Sequence, residues 1–270
     1  MIKVAIMYDF DQTLCTKNMQ EYSLLPTLEI EPDIFWQEVS QLSKKDNMDS
    51  VLAYMYLMLK KAKEKNISLT RELFYQQGKN IRYYPGVIDY FDRINQYAKS
   101  LNINLQHFII SSGTKEIIEG CSIYDKFTRV FASEFHYDEN GNPDWPAVAI
   151  NYTGKTQFLF RINKNCLDIY DNKTINSLTA ERDIPFNQMI YIGDGLTDVP
   201  CMRVVKDNHG YSIAVGNDDN SVLEKLISDN RVNFTAKSDY RENSKLDHII
   251  KLILQKIADE KALGELIINK

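Results

Sequence analysis

The chain has 270 residues, of which 44% are hydrophobic and 26% are charged, and its formal net charge at pH 7 is −5. This balance is typical of a globular protein with one large domain, or with a core domain and a smaller second domain. The acidic charge and the lack of a Lys/Arg block argue against the basic surfaces that bind nucleic acid or anionic membranes. We therefore expect neither of these as a partner.

Cysteine usage and hydropathy indicate the compartment. The four cysteines are scattered without CxxC spacing, which predicts neither a zinc cluster nor a disulfide framework and favours a reducing environment. The apolar start is interrupted at Asp9, too early for a signal peptide. No run reaches the roughly 18 apolar residues of a membrane span. These features predict a cytoplasmic protein.

The first predicted element is a strand from Val4 to Tyr8, which is apolar throughout, like strands that are buried on both faces of a parallel sheet. From Ile34 to Lys65 apolar residues recur at i, i+3 and i+4, with lysines in the last turns, and this pattern predicts amphipathic helices. The segment "SLTRELFYQQGKN" that follows predicts another helix. Residues 16–82 are therefore expected to be all-helical.

Beyond residue 86 the predicted helices and strands alternate. In chain order they are a helix at 87–100, a strand at 106–110, strands at 131–137 and 147–151 around the hairpin signal Asn140-Gly141, a helix from about Lys155, strands ending at Gly193 and Gly216, and a helix at 244–258. Such alternation predicts an α/β fold with a doubly wound (Rossmann-like) parallel sheet. We expect residues 1–15 and 83–270 to form this core, with 16–82 as an inserted all-helical cap domain.

Two carboxylates, Asp9 and Asp11, directly follow the first strand. An uncompensated charge at the end of a buried strand is costly, so their placement calls for a reason. One carboxylate can act as a nucleophile and the other can transfer protons. A divalent cation such as Mg²⁺ would relieve their repulsion. A surface turn or a helix N-cap is the alternative interpretation.

Ligand sites in open α/β sheets lie beyond the carboxyl ends of the strands, and a second group of polar residues follows the second strand. Ser111, Ser112 and Gly113 come directly before a predicted helix start. Hydroxyls and free N–H groups at a helix start can form an anion site. Serine is also an ordinary helix cap, so this stretch by itself is equally compatible with a structural role.

Further along the chain, Lys155 could pair with a nucleophilic carboxylate and with a phosphoryl oxygen. Lys115 and Lys164 are alternatives for that role, and a solvated surface position is another interpretation of Lys155. Asp194 lies in a Gly-Asp-Gly stretch at a strand end, and Asp198 opens the next helix. Acids that collect at strand ends without partners are costly, which favours a metal site.

These motifs resemble those of a known family. "DFDQT", beginning at Asp9, is similar to the DxDx[TV] signature of the haloacid dehalogenase (HAD) superfamily, and "IGDGLTD", ending at Asp198, is similar to its GDGxxD acidic motif. Ser111 and Lys155 have the order and spacing of the second and third family motifs. An insert between the first two motifs corresponds to a type 1 cap. The chain most resembles the phosphoserine phosphatase-like branch.

The resemblance implies a role for each acid. Asp9 would attack phosphorus and form an aspartyl-phosphate, while Asp11 would protonate the leaving alkoxide and later activate the hydrolytic water. Mg²⁺ would be held by Asp9, by the backbone carbonyl of Asp11 and by Asp194, with Asp198 orienting its waters. The residues that would bind the substrate phosphate are Ser111, Ser112, Gly113 and Lys155.

The expected function is a Mg²⁺-dependent phosphatase for a small phosphorylated metabolite. Phosphoserine phosphatases carry a glutamate nine residues after the nucleophile and an arginine in the cap. Here Asn18 occupies the first position, and the only arginines of the insert, Arg71 and Arg82, lie near its end. The sequence therefore does not identify the substrate. A phosphotransferase or phosphomutase is the nearer alternative, and a non-catalytic phosphate-binding regulatory protein is the more distant one.

Two aromatic features have no place in these motifs. Trp145, beside the predicted hairpin, could cover the site, contact another subunit or be structural. The aromatic residues of the insert could contact a base or a sugar, although their helical spacing favours core packing. They are Tyr22, Phe35, Trp36, Tyr54 and Tyr56.

Overall fold

The computed structural model of the protein describes residues 1–178, 182–216 and 221–268. Its named strands form one seven-stranded sheet in the order β4-β3-β2-β1-β5-β6-β7. The strands are β1 (Ile2–Tyr8), β2 (Ile103–Thr114), β3 (Arg129–Tyr137), β4 (Pro143–Val148), β5 (Met189–Gly193), β6 (Tyr211–Gly216) and β7 (Phe234–Lys237). All neighbouring pairs are parallel except β3 and β4, which form an antiparallel hairpin.

Helices connect these strands. They are α1 (Leu24–Thr27), α2 (Pro32–Asp46), α3 (Ser50–Glu64), α4 (Arg71–Gly78), α5 (Val87–Ser100), α6 (Lys115–Glu119), α7 (Thr153–Asn163), α8 (Asn172–Asn176), α9 (Val199–Asp207), α10 (Ser221–Ser228) and α11 (Lys245–Ile268). Within the described ranges, none of the helices combines the length and the apolar character needed to cross a bilayer.

The first strand lies at the centre of the sheet and contributes to hydrophobic clusters on both faces. Val4, Ile6 and Tyr8 belong to a cluster with residues of α5 and α11, whereas Ala5 and Met7 belong to a second cluster with residues of α7 and α9. Successive side chains of a strand point to opposite faces, so a strand that is covered on both sides has no polar face. This explains the continuous apolar run and confirms the doubly wound α/β fold.

Every named element between β1 and α5 is helical, as the sequence predicts. The chain enters and leaves this insert side by side. The amide of Thr16 donates to the carbonyl of Arg82 at 3.1 Å, and the amide of Tyr84 donates to the carbonyl of Leu14 at 3.0 Å. The limits 16–82 as the boundary of a separate domain stay a prediction.

The last helix of the insert packs closely against α6. A Cβ on Gly78 would lie 2.1 Å from the carbonyl oxygen of Ile117, and one on Gly120 would lie 1.8 Å from that of Tyr75. Any side chain at either position would therefore push the two backbones apart. Because α6 directly follows β2, this contact ties α4 to the end of a core strand.

Several predicted boundaries differ from the structure, among them that of β2, which runs over 103–114 rather than 106–110. The second hairpin strand runs over 143–148 rather than 147–151, because an edge strand tolerates prolines such as Pro143 and Pro146 that a central strand would not. The helix predicted at Lys115 is only five residues long. The C-terminal helix continues to Ile268 instead of ending at 258, since residues 259–268 contain good helix formers and no proline.

Candidate active site

The three central strands end at one edge of the sheet and bring the sequence motifs together. Asp9 and Asp11 follow β1, Ser111 lies near the end of β2, and Asp194 follows β5. Since β2, β1 and β5 are adjacent and parallel, these ends meet. All four residues line a cavity of about 460 Å³.

Lys155 lies behind this cavity, in the first turn of α7, and its side chain is 0% exposed. Its Nζ is 3.0 Å from Oδ1 of Asp9 and 2.7 Å from Oδ1 of Asp198. Burial by itself lowers the pKa of the ammonium, but the charges of Asp198 and Asp9 outweigh it, so that pKa lies above its ordinary value. The group therefore stays charged.

The two other lysines that the sequence offered for this role lie in different contacts. Lys115 pairs with Glu134 at 2.8 Å. Nζ of Lys164 donates to the backbone carbonyls of Ile175 and Ser177 at 2.7 and 2.9 Å. Of the three candidates, the structure places Lys155 against the first carboxylate of the DxD motif.

Asp9 is buried, with its side chain 9% exposed, and its backbone amide donates to the carbonyl of Ile192 at 2.9 Å. That bond fixes the end of β1 against β5. Burial, followed by the charge of Asp198, raises the pKa of Asp9 to about 6, although the contact with Lys155 opposes the shift. Asp9 thus carries a negative charge that its protein surroundings only partly compensate.

Asp11 is oriented by the start of the insert. Its Oδ1 accepts a hydrogen bond from the amide of Met19 at 2.8 Å. Burial, followed by the charge of Asp9, raises the pKa of Asp11 to about 8, so the protonated carboxyl predominates at neutral pH. Gly113 passes close by, because a Cβ there would lie 2.1 Å from Cε of Met19 and 3.0 Å from Oδ2 of Asp11.

Asp194 contacts the DxD loop directly, because Oγ1 of Thr13 donates to its Oδ1 at 3.0 Å. Burial, followed by the charges of Asp198 and Asp9, raises the pKa of Asp194 to about 8. Asp194 and Asp198 therefore both lie close enough to Asp9 to repel its negative charge. A compensating cation would remove that repulsion.

Asp198 is fully buried, and its carboxylate is already satisfied by hydrogen bonds. Its Oδ1 accepts from Lys155 and from the hydroxyl of Tyr191, each at 2.7 Å, and its Oδ2 accepts from the amide of Gly195 at 3.3 Å. Gly193 leaves room for it, because a Cβ at that position would lie 2.6 Å from Cγ of Asp198. Asp198 therefore positions Lys155 more than it faces the cavity.

Three carboxylates could hold a cation together. Oxygen atoms of Asp9, Asp194 and Asp198 all lie within 4.8 Å of one another. Hard oxygen donors of this kind suit a small divalent cation. Since the oxygens of Asp198 already accept hydrogen bonds, Asp9 and Asp194 have the more available oxygens.

The serine loop at the end of β2 borders the same cavity. Oγ of Ser111 accepts a hydrogen bond from the amide of Gly113 at 3.0 Å. The carbonyl of Ser112 accepts from the hydroxyls of Tyr54 and Ser133 at 2.7 and 3.1 Å. Oγ of Ser112 is buried and has no hydrogen-bond partner in the structure. Residues of this loop thus line the cavity, and the loop is fixed in part by α3 of the insert.

A model of the haloacid dehalogenase-like hydrolase family matches residues 6–203, a span that contains the DxD loop, the serine loop, Lys155 and Asp198. The chain belongs to this family. Being a HAD hydrolase, it has an enzyme fold that suits phosphatase chemistry, with the DxD loop, the serine loop and Asp194 at the ends of the three central strands and Lys155 in α7.

The chain is also similar to one curated sequence and to several solved structures. An uncharacterised protein of Borreliella burgdorferi is 28% identical over 272 residues, which cover 90% of this chain and 93% of that protein. A HAD family hydrolase from Salmonella enterica serovar Typhi matches with a TM-score of 0.62 and 15% identity over 92% of this chain and 71% of its own. A substrate-bound phosphoserine phosphatase matches with a TM-score of 0.59 and 14% identity over 93% and 99%.

The sequence did not predict several residues that contact the acids of the site. Thr13, which binds Asp194, belongs to the DxDx[TV] signature, so the motif itself could have indicated it. Tyr191, which binds Asp198, is a hydroxyl-bearing residue in an otherwise apolar strand just before Gly193. A hydroxyl at that position indicates a polar contact near the strand end, but only the fold shows which carboxylate it binds.

The insert contributes the other wall of the cavity. Of its aromatic residues, Trp36 and Tyr54 line the cavity, Phe35 is buried in the core, and Tyr56 is half exposed. Trp145 is absent from the described lining and is 70% exposed on β4. Helical spacing could not separate these cases, because it fixes the face of a helix and not what that face contacts.

Proposed function

We propose that this HAD hydrolase is a Mg²⁺-dependent phosphatase that cleaves a small phosphorylated metabolite through an aspartyl-phosphate. The proposal rests chiefly on the Asp9 carboxylate, which lies 3.0 Å from the ammonium of Lys155 at the cavity that Asp11 and Asp194 also line. A carboxylate oriented by a buried cation beside an open cavity is suited to nucleophilic attack.

In the first step an oxygen of Asp9 attacks phosphorus, and the bond between phosphorus and the leaving oxygen breaks. Asp11 donates its proton to that oxygen, so the product leaves as a neutral alcohol. In the second step Asp11, now a carboxylate, takes a proton from a water molecule that attacks the same phosphorus. The bond to Asp9 breaks, inorganic phosphate leaves, and both carboxyl groups return to their starting states.

The remaining residues bind and orient. Lys155 holds Asp9 and attracts a phosphoryl oxygen, while the hydroxyls of Ser111 and Ser112 would donate to the others, with Ser111 oriented by the amide of Gly113. Asp9, the backbone carbonyl of Asp11 and Asp194 would hold Mg²⁺. The bound ion would supply positive charge that offsets the charge of the phosphoryl group.

The cytoplasm is the proposed compartment. All four cysteines are free and buried, which fits a reducing environment.

The proposal is tested by incubating the purified protein with p-nitrophenyl phosphate and a panel of metabolite phosphomonoesters, with Mg²⁺ or with EDTA. Release of inorganic phosphate that requires Mg²⁺ is expected. An added alcohol such as glycerol distinguishes the alternative, since a phosphotransferase would form glycerol phosphate instead of free phosphate. No turnover of any ester, with phosphate still binding, would favour a regulatory phosphate-binding protein.

A further inference from the structure

We propose that the leaving group of the substrate is an uncharged, hydroxyl-rich group, so that the substrate is the monophosphate of a neutral sugar or polyol. This inference rests on the proposed phosphatase function and adds the chemical class of the substrate. It follows from the charges, hydrogen-bonding groups and ring geometry of the cavity wall that faces away from the acids.

The described lining of the cavity carries charge only at its phosphate end. Its acidic residues are Asp9, Asp11 and Asp194, and it includes no lysine, arginine or histidine. Lys155 is fully buried behind Asp9, and its charge is shared between Asp9 and Asp198. A carboxylate on the leaving group would therefore enter the cavity without a counter-ion, which is strongly unfavourable.

Two acids next to the wall opposite the catalytic acids are already engaged in hydrogen bonds: Glu21, and Asp49, whose Oδ2 accepts from Nδ2 of Asn151 at 2.9 Å. Oε1 of Glu21 accepts hydrogen bonds from Nδ2 of Asn18 at 2.5 Å and from Nε1 of Trp36 at 2.9 Å. Glu21 is absent from the described lining, whereas Asn18 and Trp36 are part of it. Both carboxylates thus fix neutral wall residues, and since neither Glu21 nor Asp49 belongs to the described lining, the lining offers no carboxylate to an ammonium group at this end.

Neutral hydrogen-bonding groups replace charges on this wall. The lining includes the amides of Gln12, Asn18, Gln20 and Asn151 and the hydroxyl of Ser50. An amide both donates and accepts hydrogen bonds, as a hydroxyl does, so this set matches a ligand with several hydroxyls. Gln20 is only 1% exposed, and its Oε1 has no hydrogen-bond partner in the structure.

The aromatic residues of the wall favour a sugar or polyol over a planar base. Trp36 is fixed by its bond to Glu21, and its ring lies at 73° to that of Tyr54, with centroids 6.1 Å apart. Two rings at this angle form no parallel slot for a base, but the open indole surface can pack against C–H groups. A volume of about 460 Å³ accommodates a phosphate with a six-carbon chain.

The inference is tested with substrate pairs that differ in one charge, assayed with Mg²⁺. Sorbitol 6-phosphate and 6-phosphogluconate differ only in a hydroxymethyl against a carboxylate, and glucose 6-phosphate and glucosamine 6-phosphate differ in a hydroxyl against an ammonium. We expect kcat/KM to be at least about tenfold higher for the ester with the uncharged leaving group in each pair, because a carboxylate or ammonium on the leaving group would lack a counter-ion in the cavity. Equal or higher values for 6-phosphogluconate, phosphoserine or adenosine monophosphate would overturn the inference.

A charge placed on the wall provides a matched test. Ser50 lines the cavity and is exposed, so Ser50→Lys adds a cation there without burying it. The kcat/KM ratio of 6-phosphogluconate to sorbitol 6-phosphate should rise by about tenfold. Ser40→Lys makes the same exchange on the exposed face of α2, and Ser50→Ala removes only the hydroxyl. Both controls should keep the wild-type ratio, and a rise in Ser40→Lys as large as in Ser50→Lys would contradict the inference.

Binding without turnover separates this inference from the proposed function. The chain has two tryptophans, so an Asp9→Asn/Trp145→Phe variant reports ligand binding through Trp36 alone. Sorbitol 6-phosphate should change its fluorescence with a Kd at least about tenfold below that of 6-phosphogluconate. The same order with no phosphate release by the wild type would refute only the phosphatase. Turnover that favours the charged esters would refute only the leaving-group inference.

Discussion

Tyr8, the last residue of β1, and Asp9, which directly follows it, enter buried polar clusters of opposite character. Tyr8 joins a neutral cluster in the sheet interior, where its hydroxyl lies 3.1 Å from that of Tyr90 and 3.0 Å from Nδ1 of His107. Asp9 joins a charged cluster at the strand end, with Lys155 and Asp198. The first cluster satisfies its hydrogen bonds without net charge. The second holds a buried ammonium between carboxylates beside the cavity.

The difference indicates how stability and chemistry are divided along one strand. Burial lowers the pKa of His107 to about 3, so the interior cluster stays neutral. In the strand-end cluster, burial and mutual repulsion raise the pKa of Asp9 and Asp194 instead. Strongly perturbed acids that face a cavity are typical of functional sites. Substitutions of the acids at the strand end should therefore affect activity, and substitutions in the interior should affect stability.

The largest effect is expected from Asp9→Asn. The amide keeps the shape of the side chain but removes the nucleophile, so kcat for p-nitrophenyl phosphate should fall by about four orders of magnitude. The urea midpoint should stay within error or rise, because a buried repulsive charge is lost. Asp46→Asn, at an exposed position at the end of α2, is the matched control and should leave both quantities unchanged. Near-normal turnover in Asp9→Asn would exclude Asp9 as the nucleophile.

The next effect concerns the buried cation. Lys155→Met leaves Asp9 and Asp198 without their shared partner, so the free energy of unfolding, measured without divalent cations, should fall by about 3–5 kcal/mol. Lys115→Met makes the same exchange in a partly exposed pair and should cost about 1 kcal/mol or less. Equal losses in the two variants would show that the strand-end cluster does not depend on Lys155.

The interior cluster predicts acid sensitivity. The pKa of His107 is about 3 in the folded protein, against an ordinary value of 6.5. As the pH falls below 6.5 the unfolded chain binds a proton at His107 that the folded protein does not bind, so stability is lost down to about pH 3. At pH 5 this loss is about 2 kcal/mol. Urea titrations at pH 7 and 5 should show a smaller loss for His107→Gln than for the wild type.

A matched control for that titration is His248→Gln, which replaces an exposed histidine of α11. It should show the wild-type loss of stability between pH 7 and 5. The interior cluster would not be the source of the acid sensitivity if His107→Gln also behaved like the wild type.

A smaller effect should come from the cation. At ten times its Kd, Mg²⁺ should raise the free energy of unfolding by about 1.4 kcal/mol, because it binds only the folded arrangement of acids. Asp194→Asn should weaken this stabilisation, and Asp46→Asn should retain it. Thermal unfolding with and without Mg²⁺ measures both. Stabilisation of the same size in Asp194→Asn would place the cation elsewhere.

The smallest effect is expected from Tyr8→Phe. Loss of the hydroxyl removes its contacts with Tyr90 and His107, so the free energy of unfolding should fall by about 1 kcal/mol. The kcat should change by less than about twofold, since Tyr8 lines no part of the described cavity. Tyr56→Phe, on an exposed side chain, should change neither quantity. A large loss of kcat with unchanged stability would mean that the two clusters are not independent.

The sequence predicted the doubly wound fold because strand and helix periodicities are local properties. The apolar β1, the amphipathic helices of the insert and the Gly-Asp-Gly strand end all follow from neighbouring residues. The predicted ends of helices and strands differ from the structure where local signals conflict. The prolines of β4 resemble a turn, and only the position of that strand at the sheet edge makes them acceptable.

By itself, the sequence also determined which acids stand at strand ends, since Asp9, Asp11 and Asp194 each follow an apolar strand. It did not determine which lysine meets them. Lys115, Lys155 and Lys164 were alternatives, and the packing of α7 behind β1 places Lys155 at Asp9. Nor could helical spacing tell that Trp36 faces the cavity, because the contact joins segments that are distant in the chain. Such long-range contacts depend on how the elements pack, and that is what only the tertiary structure decided.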